Sequence, residues 1–157
     1  MVAVSVRKGP RPETFPGPPQ SQVSQLTDPE ARRRLSLTMA ERMLRLDGIK
    51  GGLSRRAPPG TIGFFLDPEQ CCADVDSFLL GNEIAHVHLE DDGSLHAVLP
   101  EEVMQAAIEA RWAEPHPMAG MPTVSPRTVL IYAPRDEGEI ETIMGLLQYA
   151  YDAARRD

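Results

Sequence analysis

Glu83-Ile-Ala-His86-Val-His88-Leu-Glu-Asp-Asp-Gly-Ser-Leu-His96-Ala-Val98 decides the fold, because its alternation on either side of Asp92-Gly93 reads as a β-hairpin. It also holds three of the chain's four histidines. Successive strand residues face opposite ways, so His86 and His88 share a face, and loop length decides whether His96 joins them. A two-residue turn at Asp92-Gly93 puts His88 opposite Ala97 and sends His96 to the other face. A three-residue loop, Asp91-Asp92-Gly93 with Gly93 in the left-handed position, sets His88 opposite His96 and His86 opposite Val98. Only the second gathers Ala85, Val87, Leu89, Leu95, Ala97 and Leu99 on one continuous apolar face, as an amphipathic sheet requires. The other face then carries Ile84, His86, His88, Ser94, His96 and Val98. Glu83 falls on the core-facing parity and reads as a frayed strand end. Glu90, on the histidine parity beside the loop, is the expected carboxylate partner.

Working outward, Pro100-Glu101-Glu102 opens a helix whose stripe is Val103, Met104, Ala107 and Ile108, ending near Trp112. Thr128-Val-Leu-Ile-Tyr-Ala133 reads as a strand, stopped by Pro134. Asp136 and Glu139, in capping-box spacing, start a last helix with Ile140, Ile143, Met144, Leu147 and Tyr151 on one side. Upstream, Thr27 or Asp28 caps a helix with Pro29 in its first turn, Leu35, Met39, Met43 and Leu46 as its stripe, and Gly48 as its stop. A Gly- and Pro-rich connection from Gly51 to Gly60 leads to the strand Thr61-Ile-Gly-Phe-Phe-Leu66. Asp74 to Leu80 suits a short helix or a strand equally. The expected class is α+β, a small antiparallel or mixed sheet of the hairpin plus one or two further strands, packed against about three helices.

At 157 residues, one domain is expected. Residues 1–25, rich in Pro, Gly, Ser and Gln without hydrophobic periodicity, read as a disordered arm, leaving 26–157 as the domain. A formal charge of −7 argues against nucleic acid, and Arg32 to Arg34 read as a solvated helix face. No apolar run approaches the ~20 residues of a membrane span, and cytoplasmic residence is the default expectation. Cys71 and Cys72 are adjacent, so they neither staple distant segments nor form a C-x-x-C metal pair.

The run Glu83-Ile-Ala-His86-Val-His88, Asp92-Gly93-Ser94-Leu95-His96, Leu99-Pro100, Trp112-x-Glu114-x-His116-Pro117 and Tyr132-Ala133-Pro134-Arg135-Asp136 resembles the fungal luciferase-like domain family. The likeness covers roughly residues 40–155, and all four histidines fall on motif positions. It implies oxidation of an enolic, α-pyrone-like small molecule by molecular oxygen, without an added cofactor. No membrane span is expected here, unlike the anchored fungal members.

Three kinds of chemistry fit these residues. In a cofactor-free oxygenase, His86 or His88 takes a proton from an enol or phenol, since triplet oxygen needs an electron-rich anion. His96 and His116 then steady the oxyanion, Trp112, Phe64 and Phe65 wall an aromatic pocket, and Arg135 pairs with an enolate or carboxylate. Alternatively, the histidine face is a non-catalytic ligand-binding or protein-interaction surface. A third reading places Zn or Fe at His86, His88 and His96, because His-x-His plus a cross-strand histidine converges on one ion. Oligomeric state is open.

Overall fold

The computed structural model describes residues 2–54, 57–71 and 74–155. Cys72 lies outside them; Cys71 is half-buried, its thiol beside the Leu66 and Asp67 carbonyls.

The fold is α+β. In chain order the elements are β1 (Thr14–Phe15), β2 (Ser21–Gln22), α1 (Pro29–Leu44), β3 (Ile49–Leu53), β4 (Ile62–Leu66), β5 (Glu83–Val87), β6 (Leu95–Val98), α2 (Glu101–Glu109), β7 (Ala113–Pro115), β8 (Thr128–Ile131) and α3 (Glu137–Ala154). Strands β3 to β8 form one six-stranded sheet in the order β3-β4-β5-β6-β8-β7, antiparallel throughout. It is larger than expected because β3 lies in the Gly-rich connection and β7 in the segment after α2. Asp74–Leu80 settles into a single 3₁₀ turn, Val75–Ser77.

Local chemistry sets the helix boundaries. The Asp28 side chain accepts from the Ala31 N–H and Pro29 occupies the first turn of α1, satisfying orphan groups at that end. α1 ends at Leu44, and Gly48, at φ +80°, turns the chain into β3. The Asp136 side chain accepts from the Glu139 N–H, and Glu139 in turn accepts from the Arg135 N–H, closing the start of α3.

One sheet face packs on the helices. Leu35, Met39 and Met43 of α1 meet Ile140, Ile143 and Leu147 of α3 over Ala85, Val87, Leu95, Ala97 and Leu99, all essentially inaccessible to water. This is the apolar hairpin face read from the sequence, with Leu89 also buried.

The register within the hairpin differs. His86 pairs with His96 and Val87 with Leu95, so the loop spans Leu89–Gly93 and the Gly93 N–H closes onto the His88 carbonyl. A slip of two residues preserves every face while lengthening the loop, so the three histidines stay together. Gly93 has the expected positive φ, +78°.

The opposite face is covered by the segment before α1, expected to carry no structure. Arg7 is 1% exposed and its guanidinium stacks on Tyr132, Arg11 bonds the Ala113 carbonyl and the Tyr132 hydroxyl, and beside the helix-side core Trp112 Nε1 donates to the Ser5 carbonyl. β1 and β2 form a small hairpin held by Gln22, whose N–H donates to Asp92 and whose side-chain oxygen accepts from the Ala133 N–H. Polar bonds do what a hydrophobic stripe does elsewhere. Among the described residues, no helix is long and apolar enough to cross a membrane.

Candidate functional site

The sheet face beneath this arm brings His86, His88 and His96 together, with ring centroids 5.0–5.2 Å apart. His116 arrives from the stretch after β7, its ring 5.2 Å from that of His96. The first three are buried, and one ring nitrogen from each lies within 4.8 Å of the other two.

Donors and acceptors around the rings assign their protons. Ser94 Oγ donates its one proton to Asp92 Oδ1 at 2.7 Å, so at 3.0 Å it accepts from His88 Nδ1–H. His88 Nε2 is left as a lone pair. Gln20 Nε2 faces two acceptors, Glu114 Oε2 and the Pro115 carbonyl, which orients the amide. Its Oε1 accepts from His96 Nε2 at 3.0 Å, so the His96 lone pair sits on Nδ1. His86 Nδ1 lies 3.2 Å from both Glu83 Oε2 and Ser54 Oγ. With Glu83 ionised, that nitrogen donates and Nε2 keeps the lone pair.

One contact is then incomplete. His86 Nε2 and His96 Nδ1 face each other at 3.1 Å, lone pair to lone pair. The chain Glu83–His86–His96–Gln20 completes its contacts only with one proton more than an ionised carboxylate and neutral rings carry, or with a cation. Burial lowers the His86 pKa, partly offset by Glu83, and lowers that of His96 further, with His88, His86 and His116 adding to the effect. An extra proton on either ring is therefore disfavoured.

Burial alone would raise the Asp92 carboxyl, but His88, whose Nδ1 lies 3.5 Å away, together with the Ser94 hydroxyl and the Gln22 N–H, outweighs it and holds its pKa below the ordinary value. His116 accepts the Met118 N–H at Nδ1, so in the neutral ring Nε2 carries the proton and is a donor. Burial, then His86, lowers its pKa as well.

A β-bulge brings Glu83 to this site. The β4–β5 register shifts between Phe64 and Phe65, so Glu83 pairs with Phe65 while Ala85 pairs with Phe64. Ile84 turns into the core and Glu83, 1% exposed, reaches the histidine face. Bulges re-aim side chains in this way, which corrects the strand-end reading.

Above the histidines lies a cavity of about 440 Å³. The prolines Pro16, Pro18, Pro19, Pro58, Pro117 and Pro122 line its walls, with Leu79, Met118 and Val124. The aromatic wall expected from the sequence is elsewhere. Phe64 and Trp112 belong to the core under the helices, and Phe65 lies beside Gly63 and Glu83 without lining the cavity. Arg135 is taken up by Glu139 at 2.6–3.1 Å and by the Lys8 carbonyl, which leaves it off the pocket. Glu90 is an exposed partner of Arg33, because the strand ends before it and strand parity no longer applies. The residues that do support the histidines are Glu83, Asp92, Ser94 and Gln20. Asp92-Gly93-Ser94 carried a turn signal, while nothing near Gln20 in sequence pointed to His96.

A small α+β domain with four histidines flooring an apolar cavity has this organisation. A family model for the luciferase domain matches residues 81–150, from β5 into α3. A luciferase of Armillaria gallica is 29% identical over 153 residues, 90% of this chain and 58% of the relative. A luciferase of Armillaria mellea is 34% identical over 68 residues, 42% of this chain and 26% of the relative. A luciferase of Neonothopanus nambi is 35% identical over 63 residues, 39% of this chain and 24% of the relative. Residues 81–150 thus match a luciferase domain, and the chain is similar to fungal luciferases while spanning little more than half the length of the first of these relatives. No solved structure matches it.

Proposed function

We propose that the cavity is the active centre of an oxidative enzyme acting on a small, largely apolar molecule, with His86, His88 and His96 holding a divalent first-row metal ion. The observation that carries this reading is the convergence of three buried imidazoles, each with its outer nitrogen bonded to an acceptor and its lone pair left over. Histidine ligands to metals characteristically make that outer bond to a carboxylate, carbonyl or similar acceptor. Nitrogens bound tetrahedrally at about 2.0–2.1 Å stand roughly 3.3 Å apart, close to the His86–His96 separation of 3.1 Å. A cation also resolves the lone-pair contact. Imidazole suits zinc, copper, iron and nickel, and iron or copper would supply electron transfer to oxygen.

The protein's own part is positioning. Glu83 and the Ser94–Asp92 pair hold His86 and His88 in register, and the proline walls offer the substrate an apolar surface. His116 Nε2–H is the donor available to a substrate oxygen, such as an enol or phenol. The relatives' names as luciferases support oxidative chemistry, and their substrate is not carried over to this chain.

The metal-free alternative uses the same Glu83–His86 pair as an oriented base. Elemental analysis with chelator and reconstitution separates the two. The expected result is about one equivalent of metal, with oxygen uptake on enolic and phenolic substrates lost on chelation and restored by one ion. Less than about a tenth of an equivalent, with turnover indifferent to chelator, would overturn the metal reading.

A further inference from the structure

Gln20 stands 76 positions before His96 in the chain, in the loop between β1 and β2 and outside the segment matched as a luciferase domain. It is 2% exposed, and its amide is clamped at both ends. On one side Oε1 meets His96 Nε2 at 3.0 Å; on the other Nε2 donates to Glu114 Oε2 at 3.0 Å. Glu114 is itself held by the Tyr132 and Thr14 hydroxyls. A flipped amide would set its oxygen against the Glu114 carboxylate and its N–H₂ against a protonated ring nitrogen.

We infer that Gln20 is a positioning residue for the histidine site: through Glu114 it fixes His96 in the Nε2–H tautomer, so that the Nδ1 lone pair faces His86. This rests on the metal reading for its consequence but not for its mechanism. Without that acceptor, His96 relieves the contact with His86 by moving its proton to Nδ1, where Nδ1–H donates to His86 Nε2. Two convergent lone pairs are then lost to one internal hydrogen bond. Polar partners behind a metal-bound histidine change metal affinity by about 10–100-fold when removed, and Gln20→Leu should fall in that range.

The test combines cobalt(II) titration of the full chain, followed in the visible spectrum, with long-range nitrogen–proton NMR of the histidine rings in metal-free protein. His96 is expected as the Nε2–H tautomer in the wild type and as Nδ1–H in Gln20→Leu, with cobalt binding about 10–100-fold weaker in the variant. The exchange Gln20→Glu with Glu114→Gln keeps a carboxylate oxygen facing His96 and an amide donor behind it. It should restore the tautomer and bring the cobalt affinity to within about threefold of wild type, which packing alone would not predict. An Nδ1–H tautomer in the wild type would overturn the inference whether or not Gln20→Leu folds. So would a Gln20→Leu protein with unchanged tautomer and affinity, or an exchange variant no better than Gln20→Leu. Failure of the wild type to bind cobalt would refute the metal reading alone, and the tautomers would still decide the role of Gln20.

Discussion

Gly63→Ala is a one-methyl perturbation that the site should feel more than the core does. Gly63 lies on β4 opposite His86, and a Cβ placed there would stand 2.6 Å from Glu83 Oε2 and 2.9 Å from Phe65 Cε2. Both separations are below ordinary contact, so the carboxylate must move. Glu83 is buried with no room to spare, and the movement comes out of its 3.2 Å bond to His86. A buried hydrogen bond to a charged group contributes about 1.5–3 kcal/mol. Gly63 has no positive φ to protect, so alanine also stiffens the unfolded chain and returns about 0.4–1 kcal/mol. The expected net loss is roughly 1–2 kcal/mol, or about 2–8 °C in melting temperature for a chain of this size. Metal affinity should fall about 10–100-fold because His86 loses its orienting carboxylate. Thermal denaturation of metal-free protein and metal titration of the same sample are the assays. A variant stabilised by about 0.4–1 kcal/mol with unchanged metal binding would refute the reasoning, since that is the outcome if Glu83 is not held against Gly63.

Three other outcomes follow from the same geometry. Asp92→Ala removes the acceptor of the Gln22 and Ser94 N–H groups and the Ser94 hydroxyl, and urea denaturation should register a loss of about 2–4 kcal/mol; a loss below about 1 kcal/mol would contradict that count. His86 and His96 have pKa values lowered in the folded state from an ordinary 6.5, so the unfolded chain takes up their protons first. Metal-free protein should therefore hold its full histidine contribution above pH 6.5 and lose stability as pH falls below it. Urea midpoints that stay flat from neutral pH to pH 5 would exclude this. Glu90→Ala should change both melting temperature and turnover negligibly, within about 0.5 kcal/mol, because its partner Arg33 is exposed at the surface.

How far the hairpin was legible shows what sequence patterns encode. Alternation of Ala85, Val87, Leu95 and Ala97 specifies faces, and faces survive the two-residue slip that set His86 rather than His88 opposite His96. The helices followed from caps and stripes, since Asp28, Pro29, Asp136 and Glu139 act through bonds within a few residues. β3 escaped because Lys50, Gly51, Gly52 and Leu53 are exposed along a sheet edge and carry no buried–exposed alternation. Glu83 was misread because a bulge cancels parity at one position and leaves no mark in the local pattern. Gln20 and Arg7 were beyond such reading, since their partners are polar groups supplied from distant parts of the chain. The aromatic pocket wall failed for a simpler reason: Phe64 and Trp112 are worth more to the core than to a cavity already walled by proline rings.

The docked arm has a consequence for the order in which the molecule is made. Residues 5–22 are synthesised long before the surfaces that receive them, which come from Ile108 to Ala133 together with Asp92 and His96. Until β6 and β8 have paired there is nothing for Gln20 or Gln22 to bind, so the arm waits as open chain. Closing loops of that span is entropically costly and yields no contact until the sheet stands. This early-made segment is then the last to settle, and the cavity gains its wall of Pro16 to Gln20 only at that final step.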